Sequence, residues 1–369
     1  MKIGIPKEIK SQENRVAITP SGVRELVKFK HEVYVESNCG LGSGYEDAEY
    51  IKAGAKVLPN ASDVWKSEMI IKVKEPLESE YKYFYPNQII FTYFHLASNK
   101  KLTEELLKSK VIAIAYETIR GKDGSIPLLR PMSEVAGRLA IINGMWYMFK
   151  TNNGTGLLMN GTPGTEKANV TIIGGGVAGK AAANMAANLD CNVTVIEYDE
   201  NKIRDLFDLF GNKVNLLKSN EANIEKAVIN SDLVVSTVLI PGALAPKLVT
   251  EKMVKQMKKN SIIIDVAIDQ GGSVETIDHA TTHDNPIFKV HDVIHYSVAN
   301  MPGAVPKTST NALTNATIDY AVKIANGNLK ELIKKDPGFK LGLQTIDGKL
   351  VFSAVADAHK LPYTNIDEL

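Results

Sequence analysis

The sequence is poor in three features, each of which would identify a class of protein. Its two cysteines, Cys39 and Cys191, have neither CxxC spacing nor histidine companions, so we expect buried thiols rather than disulfides or a zinc site. Its 43 basic and 42 acidic residues leave a net charge of +1, which argues against nucleic-acid binding. No apolar stretch reaches the roughly 18 residues of a membrane span, and the first residues lack an apolar signal-peptide core. We therefore expect a cytoplasmic protein with no membrane partner.

The length and composition favour two folded domains. A chain of 369 residues is long for one domain, and 44% hydrophobic residues give each half enough apolar side chains for a core. Short β-branched runs alternate with helix-like segments, which is typical of parallel α/β architecture. In the first third we predict strands at Lys2–Ile5, Glu32–Glu36, Met69–Val73, Gln88–Tyr93 and Val111–Tyr116. A second series, as in a doubly wound sheet, follows at Val170–Ile173, Val193–Glu197, Val214–Leu217, Leu233–Val238, Ser261–Ile268 and Val293–Val298.

The order of these segments predicts two Rossmann-like lobes, each with a doubly wound parallel sheet. The cofactor lobe would comprise residues 128–305, inserted into a substrate lobe made of residues 1–127 and 306–369. A helix over Ser133–Phe149 would lie at the start of the inserted lobe, and Ser133 is a plausible N-cap for it.

A glycine-rich turn in the inserted lobe indicates that this lobe binds a dinucleotide. The run Gly174-Gly175-Gly176-Val177-Ala178-Gly179 fits G-x-G-x-x-G, follows an apolar strand and opens an alanine-rich helix. Gly174 permits the tight turn, Gly176 lets the backbone approach a pyrophosphate, and Gly179 lets the helix pack against the sheet. The N–H groups at the helix N-terminus would bind the phosphates. A purely structural glycine turn is the alternative.

Glu197 ends the next strand, where a carboxylate would accept hydrogen bonds from the adenosine ribose. The alternative is an incidental surface glutamate. A carboxylate near a 2′-phosphate would cost up to about 4 kcal/mol at an effective dielectric constant of about 20. The sequence therefore predicts NAD as the cofactor, in preference to NADP.

Polar residues follow several predicted strands, where ligands bind in open α/β sheets. Arg15 lies in the loop after the first strand, Lys74 follows Met69–Val73, His95 follows the strand that ends at Tyr93, and Asp269 follows Ser261–Ile268. Arg15 and Lys74 suit a small carboxylate, because a guanidinium binds it bidentately. His95 is a candidate for proton transfer, and Asp269 for orienting a water or acting as a base. Taken singly, each could instead be a solvated or structural group. No metal site is indicated, since no acid and histidine cluster has ligand spacing.

The motifs resemble one family from residue 1 to the C-terminal helices. The chain closely resembles bacterial alanine dehydrogenase, and the relevant motifs are Gly4-Ile5-Pro6-Lys7-Glu8, Glu13-Asn14-Arg15-Val16-Ala17, Lys72-Val73-Lys74-Glu75-Pro76, Phe94-His95-Leu96-Ala97, Pro131-Met132-Ser133-Glu134-Val135-Ala136-Gly137, Asp265-Val266-Ala267-Ile268-Asp269-Gln270-Gly271-Gly272, His295-Tyr296 and Ala299-Asn300-Met301-Pro302-Gly303-Ala304-Val305-Pro306.

The resemblance implies reversible, NAD-dependent oxidative deamination of L-alanine to pyruvate and ammonia by a homohexamer of two-lobed subunits. It implies that Arg15 and Lys74 bind the substrate and that His95 and Asp269 are catalytic. The residues at the family's cofactor contacts are Ser133, Gly174, Gly176, Val177, Ala178, Gly179, Glu197, Lys202, Ser219, Val238, Leu239, Val266, Ala267, Ile268, Asp269, Val298, Ala299, Asn300 and Met301.

The chain departs from the family pattern at two places. Glu197 stands where the family usually has Asp, and residues 157–164 replace a glycine-rich approach to the first Rossmann strand. Two other functions remain open: the nucleotide-binding subunit of a proton-translocating transhydrogenase, and a related amino-acid dehydrogenase. Asp269 favours alanine dehydrogenase over the transhydrogenase subunit, whose counterpart usually lacks this aspartate. Which group performs each proton transfer is not decided by the sequence.

Overall fold

The chain divides into two compact units, each with its own sheet. The structure, a computed structural model, describes residues 1–238, 245–268 and 271–368. Residues 1–132 and 305–369 form one unit, here called the split unit, and residues 133–304 form the inserted unit.

The strands and helices alternate along most of the chain. The strands are β1 Lys2–Ile5, β2 Glu32–Glu36, β3 Lys56–Leu58, β4 Met69–Ile71, β5 Ile89–Thr92, β6 Ile112–Ala115, β7 Asn169–Ile173, β8 Asn192–Glu197, β9 Val214–Lys218, β10 Leu233–Ser236, β11 Ile262–Asp265, β12 Ile287–Val290, β13 Val293–Tyr296, β14 Leu343–Ile346 and β15 Lys349–Leu350. The α-helices are α1 Pro20–Lys28, α2 Asp47–Lys52, α3 Ala61–Val64, α4 Lys100–Lys108, α5 Arg130–Met148, α6 Val177–Asn188, α7 Glu200–Phe210, α8 Glu221–Asn230, α9 Glu251–Val254, α10 Pro306–Asn326, α11 Leu329–Lys335, α12 Pro337–Lys340 and α13 Ser353–His359.

The split unit is a doubly wound sheet with the order β15-β14-β6-β5-β4-β1-β2-β3. Strands β1 to β6 are parallel, and Ile3 of β1 is in register with Val33 of β2 on one side and Met69 of β4 on the other. The strand order reverses between β1 and β4, so the loops after these two strands diverge and leave a crevice at the carboxyl edge.

Helix α10 holds the loop that carries Arg15. The hydroxyl of Thr310 accepts the Val16 amide N–H at 3.1 Å, and that of Thr314 accepts the Thr19 amide N–H at 3.0 Å. Leu313, on the same helix, is fully buried in the core beneath the sheet. The C-terminal segment therefore completes the site formed by the first third of the chain.

The inserted unit repeats the doubly wound arrangement with the order β12-β13-β11-β10-β7-β8-β9. Its strands are parallel except β12, which is antiparallel to β13. The switch point lies between β7 and β10, where the predicted glycine turn leaves β7. The prediction of two doubly wound α/β lobes is confirmed.

Several details differ from the sequence predictions. Helix α5 begins at Arg130, so Ser133 lies within its first turn and the prediction that Ser133 is the N-cap is wrong. Pro131 is compatible with this earlier start, because the first turn needs no N–H from that residue. The short strands β3, β12, β14 and β15 were not predicted.

The two cysteines and the lengths of the helices can also be compared with the sequence predictions. Cys39 and Cys191 are both free and buried, as expected. In the three described stretches of the chain, no helix is both long and apolar enough to cross a membrane.

Candidate active site and nucleotide site

The split unit brings three of the predicted site residues to one edge of its sheet. Arg15 follows β1, Lys74 follows β4, and His95 follows β5, and the carboxyl ends of these parallel strands share an edge. Asp269, the fourth predicted residue, lies outside the described residues, as does Leu239.

Arg15 is held by a buried carboxylate. Its Nε donates to Glu13 Oε1 at 2.7 Å and its Nη2 to Glu13 Oε2 at 2.6 Å, while the Arg15 backbone N–H donates to Oε1 at 3.1 Å. Its Nη1 lies 3.1 Å from the sulfur of Met132. Burial by itself would lower the pKa of Arg15, but the Glu13 carboxylate outweighs it and raises that pKa. The guanidinium is therefore charged, with its orientation fixed by a bidentate pair.

Lys74 supplies a second positive charge that interacts with Arg15. It is half-buried, and within the described residues its ammonium has no carboxylate within 4.0 Å. Burial lowers the pKa of Lys74, and the charges of Arg15 and Lys10 lower it further. An anionic ligand would relieve this electrostatic repulsion, so the pair Arg15 and Lys74 fits a carboxylate.

His95 lies on a strained turn that Glu117 stabilises. The backbone of His95 is left-handed, with φ of 50°. The Glu117 carboxylate accepts the N–H of His95 at 2.7 Å and that of Phe94 at 3.1 Å. Glu117 Oε1 also lies 4.0 Å from His95 Nδ1, too far for a hydrogen bond. Strain held in place by hydrogen bonds is a frequent feature of functional sites.

Tyr93 provides a rigid surface beside His95. Its ring stacks on the imidazole with planes 9° apart and centroids 6.2 Å apart. Its hydroxyl donates to the Leu128 carbonyl at 2.6 Å, and its ring meets Tyr116 edge-on at 4.9 Å. The imidazole side chain remains 44% exposed, which leaves it accessible for proton transfer.

In the inserted unit, two of the three glycines of the G-x-G-x-x-G motif are required by the backbone conformation and packing of the protein. Gly174 has a φ of 97°, which disfavours any side chain. A Cβ on Gly179 would lie 1.8 Å from the Gly174 carbonyl oxygen, so only glycine allows α6 to pack this closely.

The third glycine has no such requirement. Gly176 is exposed, has a φ of −67°, and a Cβ built there meets no heavy atom within 4 Å. It directly precedes α6, and the first N–H groups of an α-helix have no partner within the helix. An open space in front of a glycine at a helix N-terminus fits the pyrophosphate of a dinucleotide.

Glu197 lies against this turn. Its Oε2 accepts the Gly175 N–H at 2.6 Å, and its Oε1 accepts those of Tyr198 at 2.8 Å and Asp199 at 2.9 Å. Glu197 as a residue is 8% exposed at the end of β8. Three backbone donors thus hold a negative charge beside the site that fits the pyrophosphate.

The other predicted cofactor residues are also at the carboxyl ends of strands or at helix starts. Val177 and Ala178 begin α6, Lys202 lies in the first turn of α7, and Ser219 follows β9, whereas Val238, Val266–Ile268 and Val298–Met301 follow β10, β11 and β13. Ser133 lies one turn before Gly137 on α5, and a Cβ on Gly137 would lie 2.1 Å from the Ala178 carbonyl oxygen. Ser133 is therefore on the α5 face that packs against the start of α6.

Four residues of the split-unit site were not predicted: Glu13, Tyr93, Glu117 and Met132. Glu117 lies two residues after the end of β6, so the strand-end argument that selected Lys74 and His95 also applies to it. Glu13 lies two residues before Arg15, but nothing local shows that the two pair. Nothing in the sequence around Met132 indicated a role in the site, because its contact with Arg15 joins segments that are distant in the chain. Across the described stretches, no group of three or more histidine, cysteine or acidic residues is arranged to hold a metal ion.

The two units and their sites define a dehydrogenase with a nucleotide-binding domain. The family model "Alanine dehydrogenase/PNT, N-terminal domain" matches residues 4–136, and "Alanine dehydrogenase/PNT, C-terminal domain" matches residues 140–353. The chain belongs to the alanine dehydrogenase/PNT family, which confirms the resemblance identified from the motifs.

Relatives match over essentially their full length. An alanine dehydrogenase of Methanococcus maripaludis is 54% identical, covering 99% of this chain and 98% of the relative. One from Staphylococcus epidermidis is 53% identical, covering 100% and 99%. A solved structure named L-alanine dehydrogenase superimposes with a TM-score of 0.94 at 46% identity, covering 98% of this chain and 99% of that one. A transhydrogenase from Sinorhizobium meliloti, at 24% identity and a TM-score of 0.81, shares the fold.

Proposed function

We propose that this enzyme is an L-alanine dehydrogenase that uses NAD. The reaction converts L-alanine, NAD⁺ and water into pyruvate, ammonium, NADH and a proton. The observation that carries the proposal is the buried Arg15–Glu13 fork together with the half-buried Lys74, whose pKa is lowered by burial and by the charge of Arg15 and which fits a small carboxylate. The relatives named alanine dehydrogenase, at 53–54% identity, support the choice of alanine among amino acids.

The substrate would be oriented by its carboxylate. Arg15 and Lys74 bind that group, which fixes the position of Cα, and Met132 and Tyr93 restrict the space beside Arg15 and His95. NAD, when bound, supplies the hydride acceptor. Holding the reacting groups in one orientation accounts for several kcal/mol of the barrier.

His95 would transfer protons during the steps after hydride loss. Oxidation at Cα gives a substrate iminium, and water adds to it to form a carbinolamine, which loses ammonia to give pyruvate. His95 takes the proton from water or returns it to the departing amine, and Asp269 is proposed as its partner from the sequence alone. Glu117 keeps the His95 turn in place while this happens.

The inserted unit would bind NAD through Gly176, the start of α6 and Glu197. The phosphates would occupy the open space in front of Gly176. The charge of Glu197 disfavours a 2′-phosphate, and its Oε2 accepts the Gly175 N–H.

One assay separates this function from its competitors. We expect NADH formation with L-alanine to exceed that with serine, glycine or lysine, and NAD to be preferred over NADP. A His95→Ala variant should lose most turnover yet still bind NADH. Absence of alanine-dependent NADH formation in a protein that binds NADH would instead favour a nucleotide-binding subunit. A kinetic preference for NADPH would contradict the role of Glu197.

A further inference from the structure

A buried chain of three charged side chains lies next to Lys74. Lys72 is 1% exposed and lies between two carboxylates: its Nζ is 2.9 Å from Glu80 Oε1 and 3.3 Å from Glu8 Oε2. Glu8 and Glu80 are themselves buried, at 7% and 4% exposure. None of the three belongs to the site described above.

Glu8 contacts the backbone of the substrate-binding segment. Its Oε1 accepts the Val73 N–H at 2.6 Å and, more weakly, the Lys74 N–H at 3.4 Å. The Lys74 carbonyl is held from the other side, where it accepts from the Thr92 hydroxyl at 3.0 Å. The position of Lys74 where the chain leaves β4 therefore depends on Glu8.

Glu8 lies on the loop after β1, the same loop that carries Arg15. One carboxylate thus ties the Arg15 loop to the Lys74 segment. Such a buried ionic chain is a poor way to gain stability, because removing charges from water costs about as much as their attraction returns.

Burial raises the pKa of Glu8, and the charge of Lys72 opposes that rise. Lys72 therefore helps to keep Glu8 ionised and a strong acceptor.

We propose that Glu8 is a positioning residue that sets the spacing between Arg15 and Lys74, and that Lys72 keeps it charged. This inference rests on the proposed function, since it assigns Arg15 and Lys74 to one carboxylate substrate. A second ion pair joins the same two segments: Lys10 Nζ lies 2.5 Å from Glu75 Oε1. The Lys10 side chain is 43% exposed, and this ion pair does not involve the Lys74 amide.

The test compares Glu8→Ala and Glu8→Gln with Glu80→Gln, a control from the same ionic chain that does not touch the Lys74 backbone. We expect Glu8→Ala to raise the KM for pyruvate and for alanine about tenfold, the effect of losing one good hydrogen bond, with the KM for NADH within about twofold. Glu8→Gln keeps an oxygen for the Val73 and Lys74 amides and should show a smaller rise. Glu80→Gln should lower Tm while leaving the pyruvate KM within about twofold of wild type.

A purely structural role gives a different result. The Glu8 and Glu80 variants would then lose thermal stability alike, with no split between the KM values for pyruvate and NADH, and that outcome overturns the proposal. If Glu8→Ala does not fold, the same comparison is made with the nearly isosteric Glu8→Gln, where an unchanged pyruvate KM overturns it. Failure of the proposed function is distinguishable, because wild-type protein would then form no NADH from alanine.

Discussion

Replacing Gly176 by alanine should separate cofactor binding from folding. The backbone at Gly176 has a φ of −67°, which alanine adopts, and the added methyl group meets no protein atom within 4 Å. The free energy of unfolding should therefore change by no more than about 0.5 kcal/mol. The methyl group would, however, occupy the space that we assign to the pyrophosphate.

The loss of affinity follows from the phosphate contacts. A hydrogen bond from a backbone N–H to a charged group contributes about 1.5–3 kcal/mol. Moving the phosphates away from one such donor should raise the Kd for NADH roughly 10- to 100-fold. The measurement is a fluorescence titration with NADH, paired with urea unfolding of the same variant.

Gly179→Ala is the matched control in the same motif. Its Cβ would lie 1.8 Å from the Gly174 carbonyl oxygen, so we expect destabilisation of about 3 kcal/mol or more before any cofactor is added. Wild-type NADH affinity in a stable Gly176→Ala protein would refute the assignment of this turn to the pyrophosphate.

Three further predictions concern other parts of the site and the fold. Glu117→Ala removes the acceptor of the His95 and Phe94 amides, so kcat should fall about tenfold while the KM for NADH stays unchanged. An unaltered kcat would contradict the proposed role of the His95 turn in catalysis. Arg15→Lys keeps the charge but loses the fork to Glu13, so in steady-state kinetics the pyruvate KM should rise. In urea unfolding, the free energy of unfolding should fall by about 1–3 kcal/mol. Equal pyruvate KM values in the variant and the wild type would contradict the role of Arg15 in substrate binding. Burial lowers the pKa of His295 to about 4 from its ordinary 6.5, so between these pH values only the unfolded chain binds the proton. Stability should therefore fall from pH 6.5 to 4 by up to about 3 kcal/mol, and His295→Gln should flatten that part of the Tm profile; an identical pH dependence in the variant would show that other groups cause the loss.

The regular strands were predictable because their signal is local. Buried parallel strands such as β1, β7 and β8 are β-branched runs, and the predicted bounds fall within one residue of the observed ones. Strand β14 was missed because it is short and pairs with β6, which is distant in sequence, and β15 was missed because it has only two residues and pairs with β14 in a hairpin. The Thr345 hydroxyl, for example, donates to the Val111 carbonyl from the far end of the chain.

The candidate site shows the same division. Arg15, Lys74 and His95 could be selected because each follows an apolar strand, and parallel strands place their carboxyl ends at one edge. The partners that orient these residues could not be selected in the same way. Glu117 reaches the His95 amide, and Glu8 the Val73 amide, across long sequence separations.

The sequence by itself thus determined the alternation of strands and helices, the glycine turn and the residues at the strand ends, because these depend on near neighbours in the chain. Only the tertiary structure decided which carboxylates hold Arg15, Lys74 and His95, and that the space in front of Gly176 is open. Apart from the Glu13–Arg15 pair, which is two residues apart in one loop, those properties depend on distances between groups from separate segments, and packing fixes such distances only once the sheets have formed.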